Sequence, residues 1–77
     1  MKLPDWLDIA IDAAKNATDE FDENDAIAKF QTGCDCQGCR YGAALDTCEL
    51  LQVDFDVYCD MSSEEVYKRL LEIKNRS

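Results

Sequence analysis

The run Gly33-Cys34-Asp35-Cys36-Gln37-Gly38-Cys39 puts three cysteines within six residues near the middle of the chain. Two more follow at Cys48 and Cys59, and the chain contains no histidine. No other feature constrains the fold as strongly. At 77 residues a single apolar core leaves only a narrow margin of stability, about 3–5 kcal/mol. A metal ion held by the cysteine-rich segment would contribute on the order of 10 kcal/mol, enough to decide whether the chain folds.

Structural zinc takes four tetrahedral ligands, and without histidine these must be thiolates, helped at most by a carboxylate. Cys36 and Cys39 have the two-residue spacing that lets one tight turn aim both sulfurs at a single ion. Gly38 and Gly42 would let the backbone curl around it. Cys34 is a third candidate, although one intervening residue is shorter than the usual spacing. The fourth ligand must come from a distance. Cys59 is preferred, with Cys48 as its substitute. Cys48 falls on the apolar face of an expected helix, where a free cysteine acts as a small hydrophobe. Cys59 lies just before a helix start, and closure through it would tie the central segment to the last helix.

Three other uses of these thiols stay open. Cys36-x-x-Cys39 matches the spacing of thiol–disulfide oxidoreductases and of metal-handling sites, but such thiols need a helix N-terminus or cationic neighbours. Arg40 is the one nearby base, and Asp35 opposes it. An iron–sulfur cluster fits the spacings poorly. Plain reduced thiols are the remaining reading.

Charge is the second constraint. Seventeen acids oppose eight bases, for a net charge of −9. Residues 1–60 carry fourteen of the acids and only four of the bases. So acidic a body disfavours direct binding to nucleic acid or to an anionic membrane, and attracts a basic protein surface. The N-terminal stretch carries Asp5, Asp8 and Asp12 where a signal peptide would be apolar. No apolar run approaches the roughly 18 residues of a membrane span. A cytoplasmic, intracellular location is therefore expected, where thiols stay reduced unless catalytic or metal-bound.

The periodicity predicts a mainly α-helical single domain, residues 1–77, of three or four helices around an irregular cysteine-rich centre stapled by metal. A first helix is expected from Pro4 to about Phe21. Proline suits its first turn, and Leu3, Leu7, Ala10, Ala14, Ala17 and Phe21 recur along one side. Asn24 is expected to cap a short second helix ending near Phe30, with Gly33 as its stop. A third helix is expected from about Ala43 to Val53. Val53, Phe55, Val57 and Cys59 then alternate with Asp54, Asp56 and Tyr58, a period compatible with a short extended piece. Ser62 and Glu65 form a capping box for the last helix, with Met61 and Val66 as its hydrophobic staple. Val66, Tyr67, Leu70, Leu71 and Ile73 make its buried face, and Lys74 and Arg76 suit its final turn.

Catalysis is not expected. General base chemistry lacks a histidine, and there is no glycine-rich phosphate loop or paired metal-binding carboxylate motif. Binding by surface remains. Asp5, Asp8, Asp12 and Asp19 fall on the polar face of the first helix, and Glu20, Asp22, Glu23 and Asp25 extend the acidity. Neighbours on one helical face lie about 5–6 Å apart, close to the spacing of phosphates along a DNA strand. Such a ridge suits an inhibitor or adaptor docking on a basic, nucleic-acid-binding surface, the strategy of small phage- or plasmid-borne inhibitors of defence nucleases. A solvated helix face is the plainer reading of the same stripe. A further alternative is an assembly or regulatory subunit that binds through an aromatic patch, with Trp6, Tyr41, Phe55 and Tyr58 as anchors.

Overall fold

A computed structural model describes residues 2–76. Five α-helices follow in order: α1 Leu7–Lys15, α2 Glu23–Thr32, α3 Gln37–Leu51, α4 Phe55–Asp60 and α5 Ser63–Asn75. The described residues include no strand and are mainly helical, with one helix more than the upper expectation. α1 packs against both α5 and α2, α2 packs against α3, and the short α4 rests on α3. Ile27, Thr47, Val66 and Leu70 are fully buried, within a core otherwise rich in alanine: Ala10, Ala14, Ala28, Ala43 and Ala44. Small side chains at these positions let helix axes approach closely, which lets so short a chain close a core.

α1 is shorter than its apolar stripe implies. At its start the Leu7 N–H bonds to the Pro4 carbonyl at 3.2 Å, a turn leading into the helix. At its end Asn16 donates from its backbone N–H (3.1 Å) and from Nδ2 (3.0 Å) to the Asp12 carbonyl. Beyond it, Thr18 Oγ1 accepts from the Glu20 and Phe21 N–H groups. These short polar side chains offer the backbone an alternative to helical bonding. The expected continuation to Phe21 is thereby cut off, and Phe21 sits exposed.

α2 is capped by Asp22, two residues before the expected Asn24. Asp22 Oδ1 accepts from the N–H groups of Asn24 (2.9 Å) and Asp25 (3.3 Å). In return the Asp22 N–H donates to Asp25 Oδ2 at 3.0 Å, completing a reciprocal capping box. Gly33 closes the helix in the left-handed conformation at φ 74°, as the sequence implied.

α3 begins six residues before its expected start, with Cys36 as its N-cap. Gly38 and Gly42, assigned from sequence to a curling loop, are instead helical. Each costs about 1 kcal/mol relative to alanine, offset by burial of Ala43, Ala44, Thr47, Cys48 and Leu51 along the rest of the helix. At the far end Gln52 takes a left-handed conformation, φ 59°. The Gln52 N–H bonds to the Glu49 carbonyl and the Val53 N–H to the Cys48 carbonyl, a Schellman closure formed without glycine.

The stretch read as extended, Val53 to Cys59, is largely α4. Over so few residues, a period of two and a single helical turn select overlapping positions. Packing decides in favour of the helix: Tyr58 is buried, Phe55 half-buried and Val57 exposed. α5 starts where expected, with Ser62 Oγ accepting from the Glu65 N–H at 3.2 Å. Val66, Leu70 and Ile73 are buried along it, and Met61 packs against the same core. Lys74 pairs with Asp8, joining the last turn of α5 to α1. No helix among the described residues is long and apolar enough to cross a membrane.

Candidate metal centre

The α2–α3 connection is held by one threonine. Thr32 Oγ1 donates its one proton to the Ala28 carbonyl (2.9 Å), accepts from the Cys34 N–H (3.2 Å) and lies 3.1 Å from the Cys34 carbonyl. With Gly33 turning the chain through left-handed space, Cys34 is brought back over the start of α3. The Cys36 N–H donates to Cys34 Sγ at 3.4 Å. Cys36 occupies the N-cap and Cys39 the third helical position, so both stand on the first turn.

The three sulfurs Sγ of Cys34, Cys36 and Cys39 all lie within 4.8 Å of one another. Cys34 and Cys36 are exposed and Cys39 is half-buried. In tetrahedral zinc thiolate, with Zn–S near 2.3 Å, the sulfurs stand about 3.8 Å apart. The triad therefore needs only small rotamer adjustments to hold a metal ion.

Electrostatics favour a thiolate at Cys36. Its pKa is lowered to about 7, chiefly by the Cys39 backbone N–H, then by the thiols of Cys39 and Cys34, with the Gly38 N–H adding to them. The Cys39 and Gly38 N–H groups are among the unsatisfied donors of a helix N-terminus, which carries partial positive charge. Cys34 is pulled down by the Cys36 backbone N–H, but the neighbouring thiols and partial desolvation outweigh this and leave it raised. Nearby charges are already matched: Lys29 with Asp35 at 3.6 Å and Arg40 with Asp25 at 3.7 Å.

The other two cysteines stand elsewhere. Cys48 is buried in α3, and its thiol is pushed up by burial and then by its neighbour Cys59. Cys59 is exposed on α4, within a helix and not in free chain before one. Neither belongs to the sulfur triad among the described residues.

The acidic residues divide. Asp5, Asp8, Asp12, Asp19 and Glu20 are exposed, while Asp22 is half-buried at its cap. Glu23 and Asp25 correct the expected ridge, because both are buried. Asp25 completes the α2 capping box and pairs with Arg40. Glu23, only 5% exposed, accepts from the Tyr58 hydroxyl at 2.7 Å, and its other oxygen has no hydrogen-bond partner. Burial is the main cause raising its pKa; Tyr58 opposes the rise, and Asp22 and Asp25 add to it. Nothing local in the sequence marks this pair.

The aromatic patch is likewise reduced. Trp6 and Tyr58 are core residues. Tyr41, 55% exposed, packs edge-on against Phe55 with ring centroids 5.2 Å apart, beside a shallow depression lined by Asn24, Gln37, Gly38 and Arg40. No protein-family model, curated protein or solved structure matches the chain.

Proposed function

We propose that this chain is a small, acidic, non-enzymatic interaction protein that binds zinc through Cys34, Cys36 and Cys39 and docks on a basic surface of a partner protein. The observation that carries the metal assignment is the approach of three sulfurs to within 4.8 Å at the start of α3. Three thiolates with Zn²⁺ make a centre of net charge about −1, which the positive helix end favours although it would oppose a bare cation. Sulfur ligands select thiophilic ions over magnesium or calcium. Thiols kept reduced for this role suit a cytoplasmic setting.

The docking assignment rests on charge. The chain carries −9, and Asp5 before α1, Asp12 on it, and Asp19 and Glu20 after it all lie exposed. Binding to a basic partner should be fast and should weaken steeply with salt, because exposed charges are screened beyond about 8–10 Å at physiological ionic strength. Native mass spectrometry of protein purified without added metal tests the first part; one zinc lost on chelation supports it, and a metal-free mass after zinc addition rejects it. A panel of basic nucleic-acid-binding proteins, titrated at low and high salt, tests the second. Binding absent at low salt, or indifferent to salt, would reject the acidic docking mode.

One observation favours a second reading, thiol–disulfide exchange. Cys36 caps a fifteen-residue helix, the activating feature the sequence did not reveal, and its pKa is about 7. The Cys36 thiolate would attack a substrate disulfide, releasing one substrate thiol. Cys39, losing its proton, would then displace the second substrate thiol and leave a Cys36–Cys39 disulfide. Competition separates the readings: saturating zinc protects Cys36 from alkylation only if the triad binds metal.

A further inference from the structure

The cysteine triad supplies three ligands to an ion that takes four, and what surrounds it shows where the fourth must come from. Histidine is absent from the chain. The neighbouring carboxylates have partners: Asp35 pairs with Lys29, Asp25 with Arg40 and the α2 cap, and Asp46 accepts from Gln31. Cys48 is buried in the core, Cys59 lies on α4, and neither joins the triad. Cys34 and Cys36, by contrast, face solvent.

We infer that the zinc centre of Cys34, Cys36 and Cys39 keeps its fourth position open to solvent and there binds a thiolate from outside the chain, carried on a cationic molecule. This rests on the zinc reading above. An open fourth position separates exchangeable zinc sites from closed structural ones. A metal chosen by three thiolates prefers a fourth soft donor over the oxygen of water. Charge selects the carrier. The loaded centre is anionic within a chain of net charge −9, so anionic thiols are repelled and cationic ones drawn in. The same repulsion disfavours a second copy of this chain as the donor. The ligand exchange is balanced: the incoming thiol loses its proton to solvent, its sulfur bonds to the metal, and the bound water leaves.

X-ray absorption on the zinc-loaded full chain, reduced with a phosphine and free of other thiols, reads the sulfur count directly. Three sulfurs and one oxygen are expected, rising to four sulfurs on adding cysteamine. Mercaptoacetate, of similar size but opposite charge, should bind about five-fold more weakly at low salt, with the gap closing as salt rises. A lysine-rich peptide with one cysteine, beside its serine counterpart, distinguishes the sources. Tighter binding than cysteamine by ten-fold or more identifies a protein cysteine as the donor, and equal binding identifies a small thiol.

Four sulfurs in the isolated monomer, falling to three in Cys59→Ser or Cys48→Ala, would overturn the open position while leaving zinc binding intact. Four sulfurs accompanied by a doubled mass would assign the donor to a second copy and overturn it equally. Three sulfurs that never become four would remove the external thiolate. Failure to bind zinc at all is a separate result, and would remove the zinc reading itself.

Discussion

The Tyr58 hydroxyl donates to Glu23 Oε1 at 2.7 Å, joining α4 to the first turn of α2 across 35 residues of chain. Asn24 Oδ1 lies 2.9 Å from the same hydroxyl. A phenol has one proton, so the short bond to the buried carboxyl takes it, and the Asn24 amide is best turned to donate to the phenol oxygen. Burial, then the charge of Glu23, raises the Tyr58 pKa, so the phenol remains a donor throughout the ordinary pH range. The contact does for α4 what six residues of helix could not do alone, since so short a helix has little stability of its own.

Removing the hydroxyl should therefore be costly. Tyr58→Phe leaves both Glu23 oxygens buried without a side-chain donor, and the expected loss is about 1–3 kcal/mol. For a domain of this size each kcal/mol lowers the melting temperature by roughly 4–8 °C. Thermal unfolding followed by circular dichroism at neutral pH checks this; an unchanged midpoint would show the bond to be energetically idle.

Glu23 also fixes a pH dependence. The unfolded carboxyl releases its proton near its ordinary value of 4.5, while the folded one holds it to higher pH because it is buried. Between those two values the folded state binds more protons, so stability from this group is full below 4.5 and falls as pH rises through the raised folded value. Glu23→Gln cannot ionise. Its stability relative to the parent should be constant below pH 4.5, improve as pH rises through the raised folded value, and then level off, measured by denaturant unfolding across about pH 4 to 8. A constant difference across that range would place the titration elsewhere.

Ligand roles separate by substitution. Cys36→Ser or Cys39→Ser should weaken zinc binding by more than about 100-fold, since even lost outer-shell contacts cost 10–100-fold. Cys59→Ser should leave affinity within about two-fold, because its sulfur is outside the triad. Competition with a chromophoric chelator gives both numbers. Equal losses in all three variants would mean that the metal draws Cys59 in from α4.

The end of α3 offers a stabilising change. Gln52 stands at φ 59°, where a side chain costs about 1 kcal/mol and glycine does not. Gln52→Gly keeps both Schellman hydrogen bonds, and glycine's greater freedom in the unfolded chain offsets only part of the gain. A rise of a few degrees in melting temperature is expected; a fall would mean that the Gln52 side chain makes contacts that outweigh its strain.

The sequence by itself determined whatever is settled within about four residues. Gly33 had to stop a helix, because it alone there accepts a left-handed turn freely. Ser62 had to start one, through its bond to the Glu65 N–H. Cys34, Cys36 and Cys39 had to lie near one another simply because so little chain separates them. Even the capping box that displaced Asn24 was local, and legible in the Asp22–Asp25 spacing.

Tertiary packing decided the rest. The alternation from Val53 to Cys59 fits a strand or one turn of helix, and burial of Tyr58 beside Glu23 chose the helix. Glu23 and Asp25 look like members of an acidic ridge, yet closure of α2 against its neighbours buried both. The extension of α3 back to Cys36, across two glycines, put the thiols on a helix N-terminus that helix propensity alone would not supply. Cys48 and Cys59 fell outside the sulfur triad for the same reason. Their positions depend on how α3 and α4 pack, and no hydrogen bond between near neighbours encodes that.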